Sequence, residues 1–316
     1  MAKRIEYLDY AKGIGIILVV LGHILIKGNI KIYIYSFHMP LFFIISGYLF
    51  NYINIINFKE VINKKIKALL IPYLTFSLIN ILGEYILSGL SFMVLKKNFL
   101  ETIKFSGIGA LWFLPALFIA EFIFIFCKIN ISKSIYSILI FGGISCMALL
   151  IWVFTKNFIA IILIRSIIGL IFMVIGYYLF FIMKNITLKW YQLIIITLLS
   201  IKLAILNGGV DLWGISFNNI ILYFTTSILG SLNIILISKK INSKILKFFG
   251  ENTLIIMATH QLILNIISKI SIFGEVHFII KLILVLMIEY GIIILVNNNL
   301  VFLLGKFNSK SKVYKK

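Results

Sequence analysis

Long apolar runs separated by short polar breaks dominate the chain from its first residues onward. A run of about 20 apolar residues spans a bilayer as an α-helix. The pattern therefore predicts an all-α polytopic membrane protein, with one integral membrane domain over residues 1–316. The ten predicted spans are 8–27, 32–52, 68–88, 108–127, 134–154, 158–182, 190–206, 216–238, 252–270 and 277–304.

The basic residues bear on this helix count, because cytoplasmic segments of membrane proteins are enriched in Lys and Arg. With the N-terminus in the cytoplasm, nineteen of the 30 Lys and Arg residues fall on the cytoplasmic side and seven on the outer side. This asymmetry predicts ten helices with both termini cytoplasmic. We expect a short amphipathic helix in the long outer connection 89–107, and a basic tail at 306–316 that contacts anionic headgroups.

Composition agrees with this class of protein. The chain is 62% hydrophobic and its mean hydropathy is +1.11, whereas soluble domains are about half apolar. The net charge of +20 would by itself suggest nucleic acid. Since the charges lie between apolar runs, we expect no nucleic-acid partner. The high Ile, Asn and Lys content is typical of an AT-rich bacterial genome.

The sequence shows neither a metal-binding cysteine motif nor a signal-peptide cleavage site. The cysteines, Cys127 and Cys146, lack metal-ligand spacing, so we predict buried thiols and no metal site. The first apolar run lacks a small-residue cleavage site, and we interpret it as a membrane helix rather than a signal peptide.

Two histidines lie inside the first two predicted helices. His23 precedes Lys27 by four residues, and His38 follows Lys31 by seven, so both lie roughly 6–10 Å below the outer boundary. A titratable group in hydrocarbon costs several kcal/mol, which makes it a functional candidate. Histidines at similar depth on neighbouring helices can share one pocket. The alternative is that each bonds separately to a backbone carbonyl.

Lys12 lies eleven residues before His23, which places both on one helix face, about 16 Å apart. Asp9 is positioned for a local ion pair with Lys12. This layout suits an anionic ligand that enters from the cytoplasm with its reactive end towards the outer leaflet. The alternative is that Lys12 snorkels to the interface. Three glycines between the two residues allow close approach of a helix or ligand: Gly13, Gly15 and Gly22.

Other polar positions leave alternatives open. A basic cluster containing Lys64 and Lys67 suits lipid phosphate or a phosphorylated cofactor. Arg165 lies inside the sixth predicted helix and needs a partner, for which Glu84 is a candidate by depth. His260 is eight residues from the cytoplasmic end of the ninth predicted helix, so we expect it outside the histidine pocket.

The segments from Asp9 to His23 and from Phe37 to Leu49 together resemble the acyltransferase 3 family of membrane-bound O-acyltransferases. The motif Phe-His-Met-Pro-Leu-Phe-Phe at 37–43 is most similar to the branch that includes fucose O-acetyltransferases. Three more segments recur in the same order: Ile71-Pro72-Tyr73, Trp112-Phe113-Leu114, and Gly250-Glu251-Asn252-Thr253-Leu254 followed by His260.

The resemblance implies a ten-helix enzyme that transfers acyl groups, often acetyl, from cytoplasmic acyl-CoA to sugars of cell-surface or exported glycans. It places the family's essential histidine on His23 and its conserved helix-4 tryptophan on Trp112. The basic residue before the histidine falls on Lys12, and the basic pair after helix 2 falls on Lys64 and Lys67. The family usually has arginine at these three positions, and lysine keeps the charge but loses the bidentate fork for phosphate.

These observations predict direct acyl transfer in the cell membrane. His23 acts as general base on a hydroxyl of a glycan or lipid-linked sugar. His38 orients His23, binds the acceptor or stabilises the oxyanion. Acetyl-CoA is a co-substrate, and no permanently bound cofactor is expected. The remaining predicted roles are coenzyme A phosphate binding by Lys12, Lys64 and Lys67, and acceptor binding by Trp112, Arg165 and Glu84.

The competing interpretation is a transporter or exporter of a glycan or small solute, since ten helices and intramembrane charges suit that class as well. Transporters usually show internal repeats and broken helices in corresponding halves. The sequence shows neither pattern, which favours the enzyme.

Overall fold

The computed structural model describes residues 4–52, 57–130, 143, 158–270 and 276–306. The predicted span 134–154, the tail beyond Lys306 and Cys146 lie outside these ranges, apart from Gly143. The α-helices are α1 (Glu6–Ile24), α2 (Asn29–Leu49), α3 (Phe58–Lys65), α4 (Ile71–Leu87), α5 (Phe92–Ile103), α6 (Phe113–Asn130), α7 (Phe158–Met183), α8 (Trp190–Asn207), α9 (Ile220–Ser238), α10 (Lys244–Glu251), α11 (Thr253–Lys269) and α12 (Phe278–Asn299). Short 3-10 segments cover Phe50–Tyr52, Gly109–Trp112 and Val301–Leu304, and Ile66–Leu70 is a π-helix.

The prediction of an all-α polytopic membrane protein is confirmed. Eight helical segments of the described chain are long and apolar enough to cross a membrane, and α11 is a shorter apolar helix of 17 residues. Across the described ranges the only strand-like pairing is an isolated bridge between Asp211 and Ser216. The observed helices overlap every predicted span that falls within the described ranges.

Two helix boundaries differ from the prediction for local reasons. The helix predicted for 216–238 begins at Ile220 in the structure, because Asn219 caps α9 by accepting hydrogen bonds from two backbone N–H groups. The predicted span 68–88 is preceded by helix without a break, since α3 runs through the π-helical turn into α4. Their combined length is 30 residues, so part of α3 extends beyond a perpendicular crossing.

The predicted amphipathic helix in the connection 89–107 is present as α5. Its polar side chains Asn98 and Thr102 are buried, while Phe92 and Met93 are 72% and 81% exposed. This arrangement reverses that of a soluble protein and suits a helix with its apolar face in lipid. The Tyr73 hydroxyl donates to the Thr102 carbonyl at 2.8 Å and ties α5 to α4.

Helix α1 is central to the bundle and packs against α2, α9, α10 and α11. Its contact with α10 depends on two glycines. A Cβ added at Gly13 would lie 2.1 Å from the Leu246 carbonyl oxygen, and one at Gly250 would lie 1.8 Å from the Asp9 carbonyl oxygen. The predicted close approach at Gly13 is therefore confirmed, with a helix as the neighbour.

Helices α2 and α7 meet through a similar pair of glycines. A Cβ at Gly47 would lie 1.9 Å from the Met173 carbonyl oxygen, and one at Gly176 would lie 2.1 Å from the Ile44 carbonyl oxygen. Small residues allow such backbone contact, which supplies packing that lipid-immersed helices cannot gain from the hydrophobic effect. Cys127 is buried in the same core, as predicted.

The α1–α10 contact gives a stability prediction. We expect Gly13→Ala to lower the apparent melting temperature in detergent by roughly 3–10 °C, because the methyl group would overpack a backbone contact. Tryptophan fluorescence at a fixed heating rate would measure the shift. Gly291→Ala in α12 is the matched control, since a Cβ there meets open space. Equal melting temperatures for the two variants would contradict the role assigned to Gly13.

Candidate functional site

A cavity of about 290 Å³ lies where α1 ends and α2 begins, and it is closed on the other sides by α11 and two loops. Its walls are mixed, with a few polar groups set among apolar and aromatic side chains, which is the usual character of a small-molecule site. The polar and aromatic lining comes from His23, Tyr35, His38, Trp112, Asp211, Trp213 and Gln261.

The structure brings both predicted histidines to this one cavity. The His38 side chain is 6% exposed, and its Nδ1 lies 2.9 Å from the Ile34 carbonyl oxygen. Because a carbonyl only accepts, Nδ1 carries the hydrogen, and Nε2 of a neutral His38 is an acceptor. Tyr35 lies between the two histidines, with ring centroids 5.0 Å from His38 and 6.2 Å from His23. The two alternatives predicted for His38 are therefore both present: it lines the shared pocket and also bonds to a backbone carbonyl.

His260 does not line the cavity, but the expectation that it lies apart from the other two histidines is wrong. Its ring centroid is 5.1 Å from that of His23. Depth was predicted from the distance to the helix end, which assumes that each helix crosses the whole bilayer. Gly250, just before α11, contacts α1 at Asp9 and Gly13, so α11 starts part-way along α1 and His260 comes level with the end of α1.

His260 is held in one tautomer. Its Nδ1 lies 2.7 Å from the Ile256 carbonyl oxygen, so Nδ1 donates and Nε2 carries no hydrogen in the neutral ring. The side chain is fully buried, and Nε2 finds no hydrogen-bond partner among the described residues. The ring that packs against His23 therefore carries a bare, buried acceptor.

Gln261 is a site residue that sequence reasoning missed, although a Gln beside His260 in an apolar helix is a usable signal. Its amide nitrogen lies 3.2 Å from His23 Nδ1. Gly109 makes room for this side chain, since a Cβ there would lie 1.6 Å from the Gln261 Oε1 atom. Gly109 also has a φ of +55°, which favours glycine over other residues.

The loop between α8 and α9 delivers Asp211 and Trp213 to the cavity, and neither residue was predicted. The bridge between Asp211 and Ser216 closes the loop, and the backbone N–H of Trp213 donates to Asp211 Oδ1 at 2.9 Å. The Asn218 side chain donates to the Asn207 carbonyl at 2.7 Å and fixes the base of the loop. No long-range pattern in the sequence predicts where such a loop folds.

Arg165 is buried beside the cavity, but Glu84 is not its partner, so that predicted pairing is wrong. Arg165 Nε donates to the Trp213 carbonyl at 2.8 Å, and its guanidinium lies 5.4 Å and 5.5 Å from the Trp112 and Trp213 ring centroids. Glu84 instead accepts from Asn265 at 2.6 Å. The Arg165 guanidinium is therefore stabilised by a carbonyl and two aromatic rings. A prediction that compares only the membrane depth of charged residues does not consider such partners.

The cytoplasmic end of α1, by the predicted topology, carries a cluster of charges around Asp9. The predicted ion pair is confirmed, because Lys12 Nζ lies 2.7 Å from Asp9 Oδ1. Arg4 Nε lies 2.6 Å from Asp9 Oδ2, and its Nη2 lies 3.3 Å from Glu251 Oε1. Arg4 precedes the membrane-spanning segment, and the hydrogen bond to Asp9 raises its pKa above the usual value.

The predicted basic pair lies on the surface of α3 and the π-helix, and no described contact joins it to Lys12. Lys64 is exposed and pairs with Glu60 at 2.6 Å, and Lys67 is exposed. Lys65 points inward instead, with its Nζ 2.9 Å from Glu121 Oε1. Sequence spacing alone did not show which lysine of the cluster turns towards the core.

The fold and the cavity together define a polytopic α-helical membrane protein with a histidine-lined internal site. The sequence profile of the acyltransferase 3 family, described as an acyltransferase domain, matches residues 5–297, so the chain belongs to this family and is a membrane acyltransferase. Every cavity residue named above falls within that match. No curated protein and no solved structure matches the chain.

The Gly109–Gln261–His23 contact gives a prediction with an internal control. We expect Gly109→Ala and Gln261→Ala each to lower acyl transfer by roughly tenfold or more, because both free the His23 ring. The double variant should lose no more than the worse single variant, since both changes remove one contact. Transfer rates at matched protein levels in membranes would measure this, and additive losses would show that the two residues act separately.

Proposed function

We propose that this membrane acyltransferase moves an acetyl group from cytoplasmic acetyl-CoA to a hydroxyl of a glycan or lipid-linked sugar at the cell membrane. Transfer is direct, with His23 as the general base. The observation that carries the proposal is the position of His23, a partly exposed imidazole on the wall of a cavity, backed by Gln261 and His260.

The Gln261 amide sets the chemistry that His23 can perform. The amide nitrogen can donate to a bare Nδ1, or the amide can turn so that its oxygen accepts from a protonated Nδ1. The second arrangement leaves His23 Nε2 with a free lone pair, which a general base requires. In it, Gln261 holds the ring in the tautomer needed to accept a proton.

His38 and His260 support this base in different ways. Because His38 donates through Nδ1 to its own helix, its Nε2 is an acceptor and cannot donate to an oxyanion. The geometry therefore supports binding of an acceptor hydroxyl by His38. The neutral His260 ring packs against His23, with the ring centroids 5.1 Å apart, and helps to hold the base in place.

Aromatic and acidic groups on the loop side of the cavity suit a sugar. The Trp112 and Trp213 side chains offer flat faces for the apolar side of a pyranose ring, and the Asp211 carboxylate accepts hydrogen bonds from hydroxyl groups. Arg165 positions both tryptophans through its carbonyl and ring contacts. Glu84, which bonds to Asn265, has no part in this arrangement.

Basic residues on the cytoplasmic side of the predicted topology suit the phosphates of the donor. Lys12, Lys64 and Lys67 are assigned to coenzyme A in this proposal, with Arg4 as an additional cation beside Lys12. Since Asp9 compensates much of this charge, Lys12 is held in place before a phosphate binds. The pantetheine arm then has to extend along α1 for about 16 Å to reach His23.

The reaction balances with groups present in the chain and its two substrates. The acceptor oxygen attacks the thioester carbonyl as His23 takes the hydroxyl proton. The carbon–sulfur bond then breaks, and His23 returns the proton to the departing thiolate. An ester and free coenzyme A are released, without an acyl-enzyme and without an outside oxidant or reductant.

His23→Ala tests the proposal directly. We expect transfer from labelled acetyl-CoA to fall by about 10²–10⁴-fold, the usual cost of losing a general base. His277→Ala is the matched control, because His277 lies at the start of α12 and outside the cavity. Unchanged turnover in His23→Ala membranes, at normal protein levels, would reject His23 as the base.

Lys12→Ala tests the assigned direction of the donor. We expect the KM for acetyl-CoA to rise roughly tenfold with little change in the KM for the acceptor, since one phosphate contact is lost. Steady-state kinetics with each substrate varied in turn would separate these effects. A change confined to the acceptor KM would mean that the donor and acceptor ends of the site are reversed.

A further inference from the structure

A second cavity of about 350 Å³ adjoins the histidine-lined cavity at the turn between α1 and α2. Tyr35 and Asp211 line both cavities, so a ligand can extend from one into the other around these two side chains. The rest of the second cavity is different in character, because two lysines, Lys27 and Lys31, contribute to its wall. We call this second cavity the lysine cavity.

The positive charges of the two lysines are not neutralised by nearby carboxylates of the described residues. Neither Lys27 nor Lys31 lies within 4.0 Å of a carboxylate in the described part of the chain, whereas five other basic residues there do. Lys31 Nζ donates to the Ile26 carbonyl at 3.3 Å and lies 5.0 Å from the Tyr35 ring centroid. Both contacts leave the positive charge intact and hold Lys31 beside the residue shared by the two cavities.

Asp211 is the one carboxylate on the wall of the lysine cavity, and its position limits its effect. Its Oδ1 accepts the Trp213 N–H at 2.9 Å within the same loop. With two cations against one anion, the lysine cavity is net positive. An anionic ligand group is therefore attracted to the end formed by Lys27 and Lys31.

The predicted position of Lys27 and Lys31 on the outer side of the membrane is also unusual. By the predicted topology, the α1–α2 turn lies on the outer side, where Lys and Arg are depleted in membrane proteins. Gly28, between them, has a φ of +116° with open space around it, so the backbone here leaves room for a ligand. A local binding role explains why two lysines are placed at this turn.

We propose that the lysine cavity binds an anionic group, a carboxylate or phosphate, on the same glycan whose hydroxyl is acylated at His23, so that the acceptor is an acidic glycan. This inference rests on the proposed function. Lys27 lies four positions after His23, a reach of about 6–13 Å between the helical and extended limits, which is roughly the length of a disaccharide. The anion therefore lies one or two sugar units from the acylated hydroxyl.

The test uses a panel of oligosaccharides that carry uronic acid or phosphate groups, each paired with its neutral counterpart. We expect the wild-type enzyme to show the lower KM for the charged member of an accepted pair. In Lys27→Gln/Lys31→Gln, the KM for that member should rise at least about fivefold with kcat unchanged, while the neutral member is unaffected. The control is Lys96→Gln/Lys97→Gln, two exposed lysines on α5 that line neither cavity.

The outcomes separate this inference from the proposed function. Transfer to charged and neutral members with equal KM values would overturn the lysine cavity as an anion site and leave the acetyl transfer intact. Transfer to no member of the panel would contradict the proposed function itself. The assay is repeated in vesicles of neutral and of anionic lipid. If the double variant changes only the response to anionic lipid, equally for both members of each pair, the lysines bind headgroups and the inference is wrong.

Discussion

Backbone contact between helices at glycine is the constraint on which the rest of the structure depends. Lipid-immersed helices gain no hydrophobic stabilisation from each other, so they must pack closely. Gly13 and Gly250 bring α1 onto α10, and Gly22 lets α1 approach Tyr35 on α2. The end of α1 is thereby placed between α2 and α11, which is where its histidine meets the rest of the cavity.

Burial of polar groups in an apolar medium then decides the chemistry. A buried imidazole must satisfy its hydrogen, and His38 and His260 both do so by donating to the carbonyl four residues earlier. Each consequently presents a bare nitrogen, and neither can serve as an oxyanion donor in its neutral form. His23 has no such bond to its own helix among the described contacts and meets the Gln261 side chain instead, so it is the one of the three rings whose tautomer depends on a side chain from another helix.

Much of the fold and part of the site were predictable, because they depend on local pattern. The spans follow from runs of apolar residues, and the Asp9–Lys12 pair follows from three-residue spacing on a helix. Two predictions that depended on the relative position of separate helices were wrong. Glu84 was matched to Arg165 by depth, and His260 was placed away from His23, since depth along separate helices says nothing about which faces meet.

The class of protein, the position of most helices and the two histidines of the first two spans can be read from the amino-acid sequence, since hydrophobic transfer and helical periodicity are local properties. The tertiary structure decided which groups join them. His260, Gln261, Trp213 and Asp211 come from distant helices and a loop held by its own hydrogen bonds. Their meeting depends on helix crossings and loop closure, which are set by packing among residues far apart in the chain.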